Sequence, residues 1–177
     1  MATKRGRAWR VLGGVAAMLA FVAVVLALLV RQAGAWRVPY FSFTSAHGSH
    51  CTNDFTGYTC EPLTLADVEF FGDLDLPDDT TVLTGSYRAT HDYQLAAQLA
   101  VPPRSAEAAA KELRSAFGAC RRDVFTPLDT RGLRHFCAMA TEDGAETGGE
   151  PASRLYAVGT GVRKDGTRLI GLTIRSR

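Results

Sequence analysis

The sequence predicts an α+β fold in which an N-terminal transmembrane helix is followed by a small two-layer ectodomain, mainly an antiparallel sheet with one covering helix. The predicted element order of the ectodomain is β-β-α-β-β-β. An uninterrupted apolar run near the N-terminus predicts the transmembrane helix. A stretch of period two followed by a stretch of helical period, and an Asp-Gly pair between two β-rich runs, predict the ectodomain.

The apolar run extends from Val11 to Val30 and contains no charged or polar side chain. As a helix it would span about 30 Å, the thickness of the hydrocarbon layer of a bilayer. Four basic residues precede the run, whereas only Arg31 and Arg37 follow it closely, and the more basic flank of a membrane helix stays in the cytoplasm. We therefore expect a single-pass protein of the cell membrane, with residues 1–10 as a cytoplasmic basic tail and the C-terminal domain extracytoplasmic.

A cleaved signal peptide is the alternative to a retained anchor. The tripeptide Ala33-Gly34-Ala35 resembles the small-x-small site at which signal peptides are cleaved, which would place the cut after Ala35. The apolar run is longer than the core of about 7–15 residues that signal peptides have, and this favours the anchor. Both interpretations export the domain that follows.

Small residues recur at three- and four-residue spacing along the predicted membrane helix: Gly13, Ala16, Ala20, Ala23 and Ala27. Such a stripe lets two membrane helices approach closely, so a weak homodimer is one expectation. The other interpretation, which we favour, is that alanine is simply abundant in this chain.

All four cysteines lie in the predicted exported part: Cys51, Cys60, Cys120 and Cys137. An even number of cysteines in an oxidising compartment predicts two disulfide bonds. Four cysteines allow three connectivities. We favour Cys51 with Cys60 and Cys120 with Cys137, because both pairs are local in the sequence.

Two segments contain metal-ligand residue types without the spacing of a metal site. His47 and His50 lie close to Cys51 and Cys60, but this spacing matches no common zinc module, and exported thiols usually oxidise. Residues 73–79 are acidic, yet as a calcium-binding loop they lack the glycine and the final glutamate of an EF-hand. No metal-ligating residue is therefore predicted, and a loose Ca²⁺ site in the acidic segment is the alternative.

Residues 31–62 are predicted to form an extracytoplasmic stalk with one small disulfide loop, since they show no sustained periodicity and are rich in Ser, Thr and Gly. The α+β domain is predicted to cover residues 63–177. Its first part, residues 63–79, is acidic with embedded apolar residues. We expect this part to dock onto the domain as a short turn of helix or an extended arm.

The clearest periodic segments lie between residues 81 and 118. Thr81–Ala89 is rich in β-favouring residues, and in Tyr93–Val101 large apolar residues alternate with small or polar ones. Ala106–Phe117 follows with apolar residues on one face, Ser105 as the predicted N-cap and Gly118 as the predicted terminator. These segments predict two strands and the covering helix.

Three further strands are predicted at residues 134–141, 155–163 and 167–175, with a loop at 142–153. Asp165-Gly166 between the last two strands is a strong hairpin signal.

A two-residue turn at that pair would set the register of the hairpin. Gly159 would then lie opposite Leu172, and Gly161 opposite Ile170. Ile170, Leu172 and Ile174 alternate along the last strand, so we expect them to share the face that meets the helix.

The net charge of +2 is unevenly distributed along the chain. Residues 36–103 contain two basic and nine acidic residues, whereas residues 104–177 contain thirteen basic and nine acidic residues. Neither part has the dense basic face of a nucleic-acid binder, and we expect no nucleic-acid partner. Four arginines cluster after the predicted helix, and we expect them to pair with the acidic part rather than with an anionic partner: Arg121, Arg122, Arg131 and Arg134.

Motifs for chemistry are missing from the sequence. It contains no nucleophile elbow, P-loop, dinucleotide-binding or H-E-x-x-H motif. His91-Asp92 falls in a predicted turn, where both residue types are common for conformational reasons. We therefore predict no catalytic residue, no cofactor and no enzyme activity.

The predicted function is that of a membrane-anchored, non-enzymatic extracytoplasmic protein. We expect it to contact the lipid bilayer through residues 11–30 and to bind or assemble with another envelope protein or polymer. An exported module that binds a small ligand or Ca²⁺ is the first alternative. An envelope hydrolase is the second, and it would require a pocket in which His91 or His135 meets a carboxylate or hydroxyl group.

Overall fold

The computed structural model describes residues 3–35, 41–53, 55–121, 124–141 and 154–176, and within the first helix it describes the side chains of residues 14–29, 31 and 32. The helices are α1 (Thr3–Ala35), α2 (Leu65–Gly72) and α3 (Ala106–Phe117). The strands are β1 (Ser42–Thr44), β2 (His50–Asn53), β3 (Tyr58–Cys60), β4 (Thr81–Ala89), β5 (Tyr93–Val101), β6 (Arg134–Ala140), β7 (Arg154–Val162) and β8 (Arg168–Ser176). The predicted α+β class with a mainly antiparallel sheet is confirmed.

All eight strands belong to one sheet with the order β1-β2-β3-β4-β5-β8-β7-β6. Every pair of neighbouring strands is antiparallel. The predicted order β-β-α-β-β-β is correct from β4 onwards, and β1, β2, β3 and α2 precede it.

The transmembrane part of the predicted fold class is not confirmed. Helix α1 extends beyond both ends of the predicted run from Val11 to Val30. In the part of the chain that the structure describes, no helix is long and apolar enough to cross a membrane.

Residues 42–60 do not form a stalk, because β1, β2 and β3 lengthen the sheet beyond β4. Strand β3 pairs with β4 through Tyr58 opposite Ala89 and Cys60 opposite Tyr87. Each of these strands has only three or four residues, which is too short to show a period of two in the sequence.

Part of the acidic segment forms a regular helix. The side chain of Thr64 caps α2 by accepting a hydrogen bond from the backbone N–H of Asp67. Asp73 ends the helix in a left-handed conformation with φ of 53°. The predicted number of covering helices, one, is therefore too low, because both α2 and α3 pack on the sheet.

Helices α2 and α3 lie on one side of the sheet, which we call the helix face. Its buried side chains alternate along the two central strands: Leu95, Ala97, Leu99, Val101, Ile170, Leu172 and Ile174. From α3 they meet Ala109, Leu113 and Phe117. The side chain of Ser105 does not cap α3 but donates to Asp79 at 2.8 Å.

The opposite side, which we call the loop face, is partly covered by residues 124–133. A Cβ on Gly159 would lie 1.9 Å from Oγ1 of Thr126, and a Cβ on Gly171 would lie 3.2 Å from Cβ of Leu128. The glycines therefore let this loop lie directly on the sheet.

The predicted register of the β7–β8 hairpin is wrong by one residue. Gly159 lies opposite Gly171, and Gly161 lies opposite Leu169. The hairpin loop has three residues rather than two, since Arg163 N–H donates to Thr167 O and Gly166 adopts a positive φ of 87°. Because one residue of slip moves a side chain to the other face of a sheet, both glycines belong to the loop face.

Candidate functional site

Two disulfide bonds join the cysteines in the connectivity that we favoured from the sequence. Cys51–Cys60 links directly opposed residues of β2 and β3, and both cysteines are buried. Cys120–Cys137 ties the segment that follows α3 to β6. The alternative of zinc bound through Cys51 and Cys60 is removed, because these sulfurs are bonded to each other.

Within the described ranges, no group of three or more His, Cys, Asp or Glu side chains is arranged to hold a metal ion. The acidic segment places Asp73 and Asp75 near Glu69 and Glu112 around a depression beside α2. Two of these carboxylates are engaged by backbone: Glu69 accepts from Leu76 N–H at 2.9 Å, and Glu112 accepts from Asp75 N–H at 3.4 Å.

For Arg131, the predicted pairing of the arginine cluster with the acidic part is not observed. Arg131 forms an ion pair with its own neighbour Asp129 at 2.8 Å. Arg134 is exposed on β6, Arg121 bridges to Ala138, and Arg122 lies outside the described residues. Other arginines contact the acidic part instead, namely Arg104 with Asp79 at 2.6 Å and Arg154 with Asp73 at 4.0 Å.

The two histidines of the hydrolase alternative lie apart from each other. His91 is exposed in the turn between β4 and β5, whereas His135 lines a pocket beside α3. Among the residues with described positions, neither histidine hydrogen-bonds a carboxylate or a hydroxyl group.

That pocket, which we call the Arg168 pocket, has a volume of about 440 Å³. Its floor is the helix face at the far end of the sheet, with Arg168 of β8 and Thr160 of β7. One wall is α3, which contributes Glu107 and Arg114. The other wall contains His135 and the Cys120–Cys137 disulfide.

Local structure explains why these side chains converge. Glu107, Ala110 and Arg114 are spaced by three and four residues, so they share one face of α3. Arg168 occupies the same alternating positions of β8 as Ile170, so it points to the helix face. A register shift between Arg134 and Cys137 places His135 at an extra residue of β6, with φ of 51°.

Arg168 is the unusual group of this pocket, because only 8% of it is exposed and no carboxylate pairs with it in the described structure. Its Nη1 donates to Oγ1 of Thr160 at 3.4 Å, which is a long hydrogen bond. Its Nε is buried and has no partner. Burial of an arginine normally requires a paired anion.

The charges around Arg168 are only partly balanced. Arg114 donates to Glu107 at 3.0 Å, and both side chains are largely exposed. Burial lowers the pKa of Arg168 below its usual value, the Glu107 carboxylate raises it, and Arg114 lowers it. A guanidinium nevertheless stays protonated in proteins, so the pocket keeps a net positive charge from its arginines and Glu107.

Sequence reasoning missed this site although a signal was present. The alternation of Ile170, Leu172 and Ile174 that predicted an inward face also places Arg168 on that face. An arginine at an inward strand position is rare enough to mark a candidate site.

A second polar cluster is structural. Asp67 is 1% exposed, and its Oδ2 accepts hydrogen bonds from three donors: Ser45 Oγ at 2.6 Å, Ser49 N–H at 3.1 Å and Thr64 Oγ1 at 3.0 Å. Burial alone would raise the pKa of Asp67, but the hydrogen bonds from its partners outweigh burial and hold the pKa below its usual value. The cluster ties the β1–β2 hairpin to the first turn of α2.

The fold and the pocket define a class of protein, an α+β domain closed by two disulfides with a positively charged pocket under one end of a helix. Comparison of the chain with protein-family models, with curated proteins and with solved structures finds no match.

Proposed function

We propose that this chain is a single-pass, membrane-anchored protein whose α+β domain lies outside the cytoplasm and binds another component of the cell envelope. In this proposal the N-terminus lies in the cytoplasm and α1 contacts the lipid bilayer. The exposure of apolar side chains along α1 is the observation that supports it.

Every side chain described from Gly14 to Leu29 is exposed, so the domain covers no face of this part of α1. The large apolar side chains exposed here are Val15, Met18, Leu19, Phe21, Val22, Val24, Val25, Leu26, Leu28 and Leu29. A soluble monomer rarely exposes a contiguous apolar patch larger than about 300–600 Å². A bilayer would cover a helix that is apolar all round, and in the sequence the run continues to Val11 and Val30.

The disulfides are consistent with an extracytoplasmic location. Disulfide bonds persist in oxidising compartments and are rare in the cytosol. Each of the two loops, with sequence separations of 9 and 17, would be stabilised by its bond. The loop-entropy relation gives about 3 kcal/mol for each, a large fraction of the stability of a small domain.

A topology measurement on the full chain tests the proposal. We expect a C-terminal alkaline phosphatase fusion to be active and a C-terminal green fluorescent protein fusion to be dark, with the protein in the carbonate-resistant membrane fraction. Leu19→Arg combined with Val22→Arg should release the chain from membranes, since each charge near the helix centre costs about 2.5–3.5 kcal/mol. Leu19→Ile with Val22→Leu is the matched control. A fluorescent cytosolic fusion with an inactive phosphatase fusion would contradict the proposal.

Self-association of α1 stays a prediction. Ala16, Ala20, Ala23 and Ala27 are exposed along the described part of the helix, whereas the surroundings of Gly13 lie outside it. Crosslinking in membranes would detect a dimer through this stripe.

A second candidate function is an exported module that binds a small ligand, and the Arg168 pocket favours it. A buried cation without an internal anion provides the polar group that would anchor a negatively charged ligand in a pocket. In-cell crosslinking from the domain, followed by mass spectrometry, separates a macromolecular envelope partner from a small ligand.

A further inference from the structure

We propose that the Arg168 pocket is a binding site for a carboxylate group, carried by a small organic acid or by the end of a chain. The inference deepens the second candidate function given above. Its test measures ligand binding rather than membrane topology, so that either proposal can fail without the other.

Arg168 lacks a counter-ion within the described residues. Arg168 is more than nine-tenths buried, and within the described residues its nearest hydrogen-bond acceptor is the neutral hydroxyl of Thr160. Buried charges in proteins are paired, because burial removes the water that would otherwise solvate them. A ligand anion in the pocket would supply the partner that the chain itself does not.

Two N–H groups of the Arg168 guanidinium have no acceptor within the described residues. Nη1 of Arg168 is directed to Thr160, whereas Nε is without a partner, and no described residue accepts from Nη2. Nε–H and Nη2–H point in parallel from one edge of the guanidinium plane. This pair of donors matches the two oxygens of a carboxylate. Nη2 is the donor that a ligand in the pocket can reach directly, whereas Nε is buried and would pair only after the side chains over it shift.

The charged side chains that line the pocket favour an anion with a single negative charge. Arg168 and Arg114 carry two positive charges and Glu107 carries one negative charge, which leaves a net charge of +1. One carboxylate neutralises this charge. A phosphate group, with a charge of about −1.5 to −2 at pH 7, would overcompensate and would face Glu107.

The remainder of the pocket can hold the apolar part of a ligand. Ala110, Phe136, Met139 and the Cys120–Cys137 disulfide line the remainder of the pocket. These surfaces are apolar, and the volume of about 440 Å³ accommodates a small substituent behind the carboxylate.

The test uses the purified full-length chain in a neutral detergent, with binding measured by calorimetry and by thermal unfolding. Benzoate and N-acetyl-Ala-Ala are the carboxylate probes, and benzamide and N-acetyl-Ala-Ala amide are their neutral counterparts. Inorganic phosphate is the competing anion. We expect saturable binding of a carboxylate probe, no binding of its neutral counterpart and no stabilisation by phosphate.

The probes also identify the source of the carboxylate. Binding of benzoate indicates a small acid, and binding of the peptide acid alone indicates the end of a chain; both outcomes support the proposal. Equal binding of acid and amide, stabilisation by phosphate alone, or no binding of either acid would overturn it.

Variants connect the binding to Arg168. We expect Arg168→Met to weaken carboxylate binding about tenfold to a hundredfold, because it removes a hydrogen bond to a charged group. The same change should raise the unfolding temperature of the ligand-free protein, since an unpaired buried charge is replaced by an apolar side chain of similar length. Arg175→Met is the matched control, because Arg175 is exposed on the loop face of the same strand.

Glu107→Gln provides an independent check. It removes the carboxylate that competes for Arg114, so binding of the acid probe should tighten a few-fold. Weaker binding in Glu107→Gln, or unchanged binding in Arg168→Met, would contradict the assignment.

Discussion

Replacement of Asp67 by alanine is expected to destabilise the domain more than replacement of any exposed acidic residue by alanine. The carboxylate is buried between α2 and the β1–β2 hairpin, and its Oδ2 accepts three hydrogen bonds. Removal of the carboxylate leaves Ser45 Oγ without this acceptor, and Ser49 N–H keeps only Ser45 Oγ at 2.8 Å.

The magnitude follows from these contacts. A hydrogen bond to a charged group contributes about 1.5–3 kcal/mol. Thr64 has a single hydroxyl hydrogen, which it can give either to Asp67 or to the carbonyl of His47 at 2.9 Å, so two bonds are the appropriate count. The other oxygen, Oδ1, is buried without a partner, at a cost of about 1–3 kcal/mol that offsets part of the gain. A net loss of about 2–3 kcal/mol is expected for Asp67→Ala.

Urea unfolding of the full chain in neutral detergent, with disulfides intact, measures this loss. Asp75→Ala is the control, since Asp75 is exposed and should change the free energy of unfolding by less than about 0.5 kcal/mol. An Asp67→Ala protein that unfolds at the same urea concentration as the control would refute the reasoning.

Asp67→Ala should also change how the free energy of unfolding depends on pH. The folded-state pKa of Asp67 is lowered, so its contribution is fully present above its unfolded-state pKa of about 3.9 and is lost as the pH falls through the lower folded value. Asp79, Asp129 and Asp165 also have lowered pKa values, but they titrate in both proteins. The wild type should therefore lose its advantage over Asp67→Ala below about pH 4, and a constant difference would contradict this.

Two further predictions concern the loop face and the disulfide beside the pocket. Gly159→Val should lower the free energy of unfolding in urea by about 1–3 kcal/mol, because its Cβ would overlap Thr126. Ala157→Val on the same strand is the control, since Ala157 faces an open cavity of about 350 Å³ and the larger side chain should be tolerated. Cys120→Ser combined with Cys137→Ser should cost about 3 kcal/mol, and a loss below about 1 kcal/mol would argue against the loop-entropy account.

The longest periodic segments of the sequence were predicted best. The observed bounds of β4, β5 and α3 are the predicted ones, and β6, β7 and β8 differ by one residue at one or both ends. In these segments the apolar pattern persists over seven or more residues, so burial on one face determines the structure.

The N-terminal part of the sheet was missed for a physical reason. Strands β1, β2 and β3 depend on contacts distant in sequence. Cys60 of β3 pairs with Tyr87 of β4, and the ring centroids of Tyr58 and Tyr87 lie 5.9 Å apart. Three or four residues cannot encode such pairing through their own periodicity. The β7–β8 register failed for a different reason, because Asp165-Gly166 is compatible with both a two-residue and a three-residue loop.

The candidate site was only partly predictable. The disulfide that forms one wall followed from cysteine number and spacing, whereas His135 was considered for catalysis and lies in a pocket without a described partner. The inward position of Arg168 follows from the alternation of Ile170, Leu172 and Ile174 in the sequence. Its charged surroundings required the structure, because α3 and β6 determine which side chains lie beside it.

The two outer edges of the sheet determine whether neighbouring copies of the domain can pair strand to strand. An unpaired strand edge can recruit a strand from a neighbouring molecule and start a fibre. Here one border is β1, with only three residues, and the other is β6, which is interrupted at His135 and partly capped by the hydrogen bond from Arg121 N–H to Ala138 O at 2.7 Å. Many copies of the domain held side by side would therefore offer one another few unpaired backbone groups for strand pairing.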